Sequence, residues 1–243
     1  MRAFLRLVFV GGVIVVMAGP SGFGDWSVRA GGAPQRLQKA PPGSAILADA
    51  EATLVRAQTA LHVNEDPATC LETLGGLGDR ELTIYVPGSS HSSQVKKGID
   101  AWREHTDLAL TEVSKVGGAD VVFLFTERLT YAGQEIAGYT NWRRAKGRLS
   151  ATIQVRTSMP GGGKMNQAAI RHIAMHELGH VLGLADTSRV GDIMGPLDTH
   201  RTADRPTAPE IAHLKAFRAR FEAVKSSALE SLAARTAKVS SRL

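Results

Sequence analysis

The stretch HELGHVLGLAD, residues 176–186, holds four side chains whose types and spacing suit metal chemistry. His176 and His180 are four residues apart. On a helix that spacing puts two imidazoles one turn apart on one face, where they can grip a single divalent cation. Glu177 is rotated by one position and can reach a water on that ion, as a general base must. Gly183 stands three residues after His180. A helix ending there has to turn sharply, and glycine takes the positive φ of such a turn without a Cβ penalty. The turn returns Asp186 to the cation. A carboxylate is an ordinary zinc ligand, so two histidines and one aspartate leave a fourth position open for chemistry. Non-haem iron enzymes use the same donor set, although the helical register and the adjacent Glu177 suit zinc-dependent hydrolysis better. A protein that keeps the site only to bind metal is the other reading. The negative charge of Asp186 predicts a weaker pull on a ligated water than three histidines exert, and so a higher working pH.

These residues need a scaffold. The spacing predicts a helix over Asn166–Leu182, carrying both histidines. Upstream, LTIYV (Leu82–Val86), LALTEV (Leu108–Val113), ADVVFLF (Ala119–Phe125), IAGYTNW (Ile136–Trp142) and SATIQVR (Ser150–Arg156) read as strands. The Ala119–Phe125 run lacks alternation, which predicts a strand covered on both faces. Val95, Ile99 and Trp102 recur at i, i+4, i+7, one face of a helix. TAPE, Thr207–Glu210, has capping-box spacing and opens an apolar stripe of Ile211, Leu214, Phe217 and Phe221, predicting a helix to about Lys225. Residues 226–243 continue it or form a separate basic tail. Leu47, Ala50, Leu54, Ala57 and Leu61 mark an earlier helix that Ser44 can cap. Asn64–Arg80 reads as turns. His172 lies one turn before His176 but lacks a following glutamate and reads as a helix-surface histidine. His62, His91, His105, His200 and His213 have no ligand-like spacing.

The 243 residues carry a net charge of +6. From Arg205 onward there are eight Lys/Arg against three Asp/Glu, so most of the excess is C-terminal. A solvated helix face explains this best, and no nucleic-acid module accompanies it. The basic residues Arg143, Arg144, Lys146 and Arg148 read as a hairpin tip. Cys70 is the single cysteine, so no intramolecular disulfide can form. Residues 1–18 combine Arg2 and Arg6 with a short apolar run, the layout of a signal peptide; an uncleaved anchor is the alternative. Residues 19–43 are rich in Gly, Pro and Ala and read as a linker. The expected protein is secreted, monomeric and free of any stable membrane span after signal removal.

HELGHVLGLAD resembles the elongated zinc motif of metzincin metallopeptidases. DIMGP, with Met194 eight residues after Asp186, resembles the Met-turn of the matrixin branch. Upstream, the segment from Val95 to Phe125, with Trp102, Thr106, Leu110 and Ala119-Asp120, is similar to the first helix and following strands of matrixins. Matrixins place histidine where Asp186 stands; snapalysin-type metzincins place aspartate there. The resemblance implies an α+β, zincin-like fold: a twisted mixed sheet of about five strands with one antiparallel edge strand, backed by a long active-site helix and followed by a C-terminal helix. It implies a catalytic domain over residues 79–225 and one catalytic Zn2+ held by His176, His180 and Asp186. Glu177 would be the general base, Met194 the floor of the site, and Ile136–Trp142 the edge strand that binds a protein or peptide substrate. Latent matrixins also block their zinc with a propeptide cysteine. Residues 19–78 occupy a propeptide-like position, so Cys70 is a candidate latency switch; ATCLETL lacks the surroundings usual for one, and an unpaired buried or incidental thiol is the other reading.

Overall fold

The computed structural model describes residues 45–78, 81–131, 133–145 and 148–240. The signal-peptide reading of residues 1–18, the linker reading of 19–43 and the cap at Ser44 lie outside the described residues. So do the side chains of residues 143–148 at the basic hairpin tip.

The fold is α+β. Five strands make one mixed sheet: β1 (Glu81–Tyr85), β2 (Ala109–Val113), β3 (Val121–Thr126), β6 (Gly138–Ala145) and β7 (Arg148–Arg156), in the order β2-β1-β3-β7-β6. Every pair is parallel except β6 with β7, which is antiparallel and puts β6 at the edge. The very short β4 (Thr130–Tyr131) and β5 (Gln134–Glu135) form a separate hairpin just before that edge strand. Asp120 ties the sheet at β3: its carboxylate accepts from the Thr83 N–H at 2.9 Å and the Thr83 hydroxyl at 2.7 Å.

Helices α3 (Ser92–Arg103) and α4 (Gln167–Val181) pack together against the sheet. The predicted stripe Val95, Ile99, Trp102 is fully buried, and the Trp102 indole N–H donates to the Met175 carbonyl at 2.8 Å. That bond satisfies a buried donor while fixing α3 to α4. One expectation fails here. In β3, Val121 and Phe123 are fully buried, but Leu124 is 42% exposed. The strand is covered on one face only, because its buried residues pack with α3 and α4 in a single core. An unbroken apolar run does not distinguish this from two-sided burial.

A second core lies between α1 (Ala45–His62), α2 (Pro67–Gly75) and α5 (Ala208–Ser240). Helix α2 falls in a stretch read from sequence as turns. It starts on Asp66, whose side chain accepts from the Thr69 N–H at 3.0 Å, with Pro67 in the first turn. At nine residues it is too short to show a period, yet Cys70 and Leu74, four apart, are buried with Phe217 and Phe221. Helix α5 continues through 33 residues without a break at Lys225. Its Leu214 belongs to the sheet core, while Phe217, Phe221, Val224 and Ala228 belong to the helical one. Arg218, nearly fully buried, pins α5 in place: its guanidinium donates to Asp107 Oδ1 and the Gly78 carbonyl, each at 3.1 Å, and stacks on Phe221.

Candidate active site

Helix α4 begins at Asn166, whose side chain accepts from the Ala169 N–H at 2.7 Å. It presents His176 and His180 on one face, their rings edge to face with centroids 4.7 Å apart. Each ring is held from behind. His176 Nδ1 donates to the Ile193 carbonyl at 2.8 Å and His180 Nδ1 to the Leu184 carbonyl at 3.0 Å. A carbonyl oxygen only accepts, so both rings carry a hydrogen on Nδ1, and a neutral ring then leaves its Nε2 lone pair facing forward. The two Nε2 atoms are 3.2 Å apart. Asp186 Oδ1 lies 3.2 Å from one and 3.5 Å from the other. Three acceptors crowded together repel unless a cation or a proton sits among them. Two nitrogens and one carboxylate oxygen, each able to reach a common point, fit a zinc ion.

The electrostatics agree with a site built for positive charge. Burial works against the charged form of Asp186, yet the His180 and His176 rings override it and hold the carboxyl down to about 2. Burial likewise opposes protonation of His176, but the hydrogen bond and charge of Asp186, with Glu177 adding to them, push it up to about 9. Without metal, a proton takes the cation's place.

The turn that delivers Asp186 is a Schellman cap. The Leu184 N–H bonds back to the Gly179 carbonyl at 2.9 Å and the Gly183 N–H to the His180 carbonyl at 3.1 Å. Gly183 has φ +103°, and a Cβ there would come within 2.8 Å of the Phe217 ring. Both the backbone angle and the packing of α5 therefore require glycine. Past the turn, the Thr187 N–H donates to the Met194 carbonyl at 2.7 Å, closing the loop that carries Ile193 and Met194. Met194 is buried with its sulfur against Gly179, where any Cβ would overlap it. The Met194 N–H in turn donates to Glu210 Oε1 at 2.7 Å, while Glu210 Oε2 accepts from the Thr207 N–H and hydroxyl. The capping glutamate of α5 thus also anchors the loop beneath the histidines.

Glu177 faces the edge strand. Its Oε2 accepts from the Thr140 hydroxyl at 2.6 Å, and a Cβ on Gly138 would overlap its Oε1. A cleft of about 180 Å³ opens beside His176, Glu177 and Asp186, walled by Ala137 and Gly138 on one side and Gly195, Pro196 and Leu197 on the other.

A family model described as matrixin matches residues 81–208, more than half of the chain, including His176, Glu177, His180, Asp186 and Met194. The chain belongs to the matrixin family. It is, in general terms, a zinc metallopeptidase. No curated protein sequence matches it significantly.

The sequence leaves Cys70 as either a switch or a buried thiol and reads His172 as a surface residue. Cys70 lies in α2, fully buried among Leu74, Phe217 and Phe221, and is absent from the group of donors around His176. Burial pushes its thiol up, which lowers its nucleophilicity and its affinity for metal. As folded here it is a core residue, and a latency switch at Cys70 would require the helical core to open. His172 is buried rather than on the surface. Its Nδ1 accepts from the Ala203 N–H at 3.2 Å, and burial, with the His176 ring adding to it, pulls it down to about 4. It lines the cleft but lies outside the donor cluster. The other five histidines are exposed or half-buried; His91 tilts against Phe125. Sequence reading missed Thr140, Gly138 and the second role of Glu210. The first two sit inside a predicted strand, and only contacts with Glu177, distant in sequence, reveal their partner.

Proposed function

We propose that this matrixin is an endopeptidase in which His176, His180 and Asp186 hold one zinc ion and Glu177 is the general base. The observation that carries the reading is the convergence of three lone-pair donors within 4.8 Å, with a carboxylate one residue along the same helix. Zinc bound there supplies a Lewis acid that polarises the scissile carbonyl and acidifies a water. Glu177 accepts a proton from the attacking water and passes it to the departing amine nitrogen. Met194 and the buried Glu210 beneath it keep the Ile193 carbonyl aimed at His176, which fixes that ring's tautomer.

The substrate is an extended peptide added as a further strand to β6. Gly138 faces Val155 across β7, and the Arg156 N–H bonds the Ala137 carbonyl. That register makes 138 and 155 a non-hydrogen-bonded pair, so the N–H and C=O of Gly138 and of Thr140 point away from the sheet, toward the cleft side. The N-terminal segment, Arg2 and Arg6 followed by an apolar run, supports action outside the cytoplasm. Among the described residues no helix is long and apolar enough to cross a membrane.

Hydrolysis of casein by purified full-length protein, with and without chelator, tests the reading. Chelator-sensitive cleavage restored by zinc is the expected result, with Glu177→Gln retaining zinc and losing most turnover. Metal bound without any cleavage points instead to a binding protein, and cleavage supported by iron alone rejects the zinc assignment.

A further inference from the structure

The base and the substrate edge meet at one residue. Thr140 is buried in β6, and its hydroxyl donates to Glu177 Oε2 at 2.6 Å, a short charge-assisted bond, with the Glu177 carbonyl at 3.2 Å. The other carboxylate oxygen lies against Gly138, where a Cβ would overlap it and come within 2.8 Å of its Cγ. One oxygen is therefore pinned and the other is confined beside the strand. Thr140 also turns its own N–H and C=O outward, so a docked peptide pairs with the same residue that holds the carboxylate.

We propose that Thr140 is a positioning residue for the general base, setting Glu177 in register with a peptide docked on β6. The inference rests on the reading of Glu177 as that base. A glutamate has three side-chain torsions, and one oxygen fixed by a hydroxyl removes most of the orientations in which the other misses the attacking water. The side chain of Thr140 points to α4 rather than along the sheet edge, so its loss alters proton transfer and leaves peptide docking alone.

The test compares Thr140→Val, which keeps the shape and removes the donor, with Thr140→Ser, which keeps the donor. Turnover of a fluorogenic peptide, zinc per chain and affinity of the metal-free protein for a peptide are measured for each, with Glu177→Gln alongside. The expected result is a kcat for Thr140→Val about 10- to 100-fold lower. KM, zinc content and peptide affinity should change less than about twofold, and Thr140→Ser should stay within about threefold of wild type. If Thr140→Val does not fold, Thr140→Ala carries the same expectation. Wild-type kcat in Thr140→Val beside an inactive Glu177→Gln overturns the inference and spares the base reading. Full activity in Glu177→Gln removes both. Equal losses in the valine and serine variants, or loss of zinc in either, make Thr140 a structural residue and also overturn it.

Discussion

At the scale of single residues, the site is explained by where hydrogens sit. Backbone carbonyls take the Nδ1 hydrogens of His176 and His180, leaving both Nε2 atoms to converge with Asp186. In the metal-free protein His176 titrates at about 9, above its ordinary 6.5. This shift stabilises the metal-free fold fully below pH 6.5, and the stabilisation is lost as pH rises through about 9. Zinc must displace that proton, so its affinity should rise roughly tenfold per pH unit below about 9. Competition against a chelator at pH 6.5 and 7.5 measures this; equal affinities contradict the proton-for-metal exchange. His172 is shifted the other way, from 6.5 to about 4. Its contribution is present above pH 6.5 and lost as pH falls toward 4, on the order of 3 kcal/mol. His172→Gln keeps an acceptor for Ala203 and should flatten the fall in urea midpoint between pH 6.5 and 4.5. An unchanged slope would show that the ring is not what acid titrates.

At the scale of elements, the active-site helix was legible because its signals are local: a four-residue histidine step and a glycine stop at Gly183. The parallel strands were legible from their apolar runs. What escaped lies in contacts between distant segments. Nothing near Thr140 announces Glu177, and nothing near Glu210, beyond its capping box, announces Met194. The one-sided burial of β3 and the helix α2 were hidden because short apolar runs and nine-residue helices carry too few turns of period to read. Gly183 offers a test at this scale. Gly183→Ala combines a positive φ with a clash on Phe217, and should cost about 1–3 kcal/mol or more in stability and loosen zinc binding with it. Denaturant melts report the first effect and a zinc competition assay the second. Wild-type values for both would mean the turn tolerates another geometry.

At the scale of the whole molecule, α5 joins two cores and makes residues 45–78 part of the folded body. Phe217 and Phe221 are covered by α1 and α2, and burying each is worth about 1.5–3 kcal/mol. A chain beginning at Glu81 should therefore melt well below the full-length protein or aggregate, and limited proteolysis should leave residues 45–78 attached to an active enzyme. An active, equally stable chain lacking them would instead mark that segment as a removable propeptide.

Zinc K-edge X-ray absorption on the purified full-length protein bears most directly on the metal centre. The arrangement predicts one zinc per chain with two imidazoles and oxygen donors at about 2.0–2.2 Å, and loss of the ion in Asp186→Ala. A sulfur shell near about 2.3 Å, which only Cys70 or a methionine could supply, or a third imidazole with Asp186→Ala still fully loaded, would contradict it.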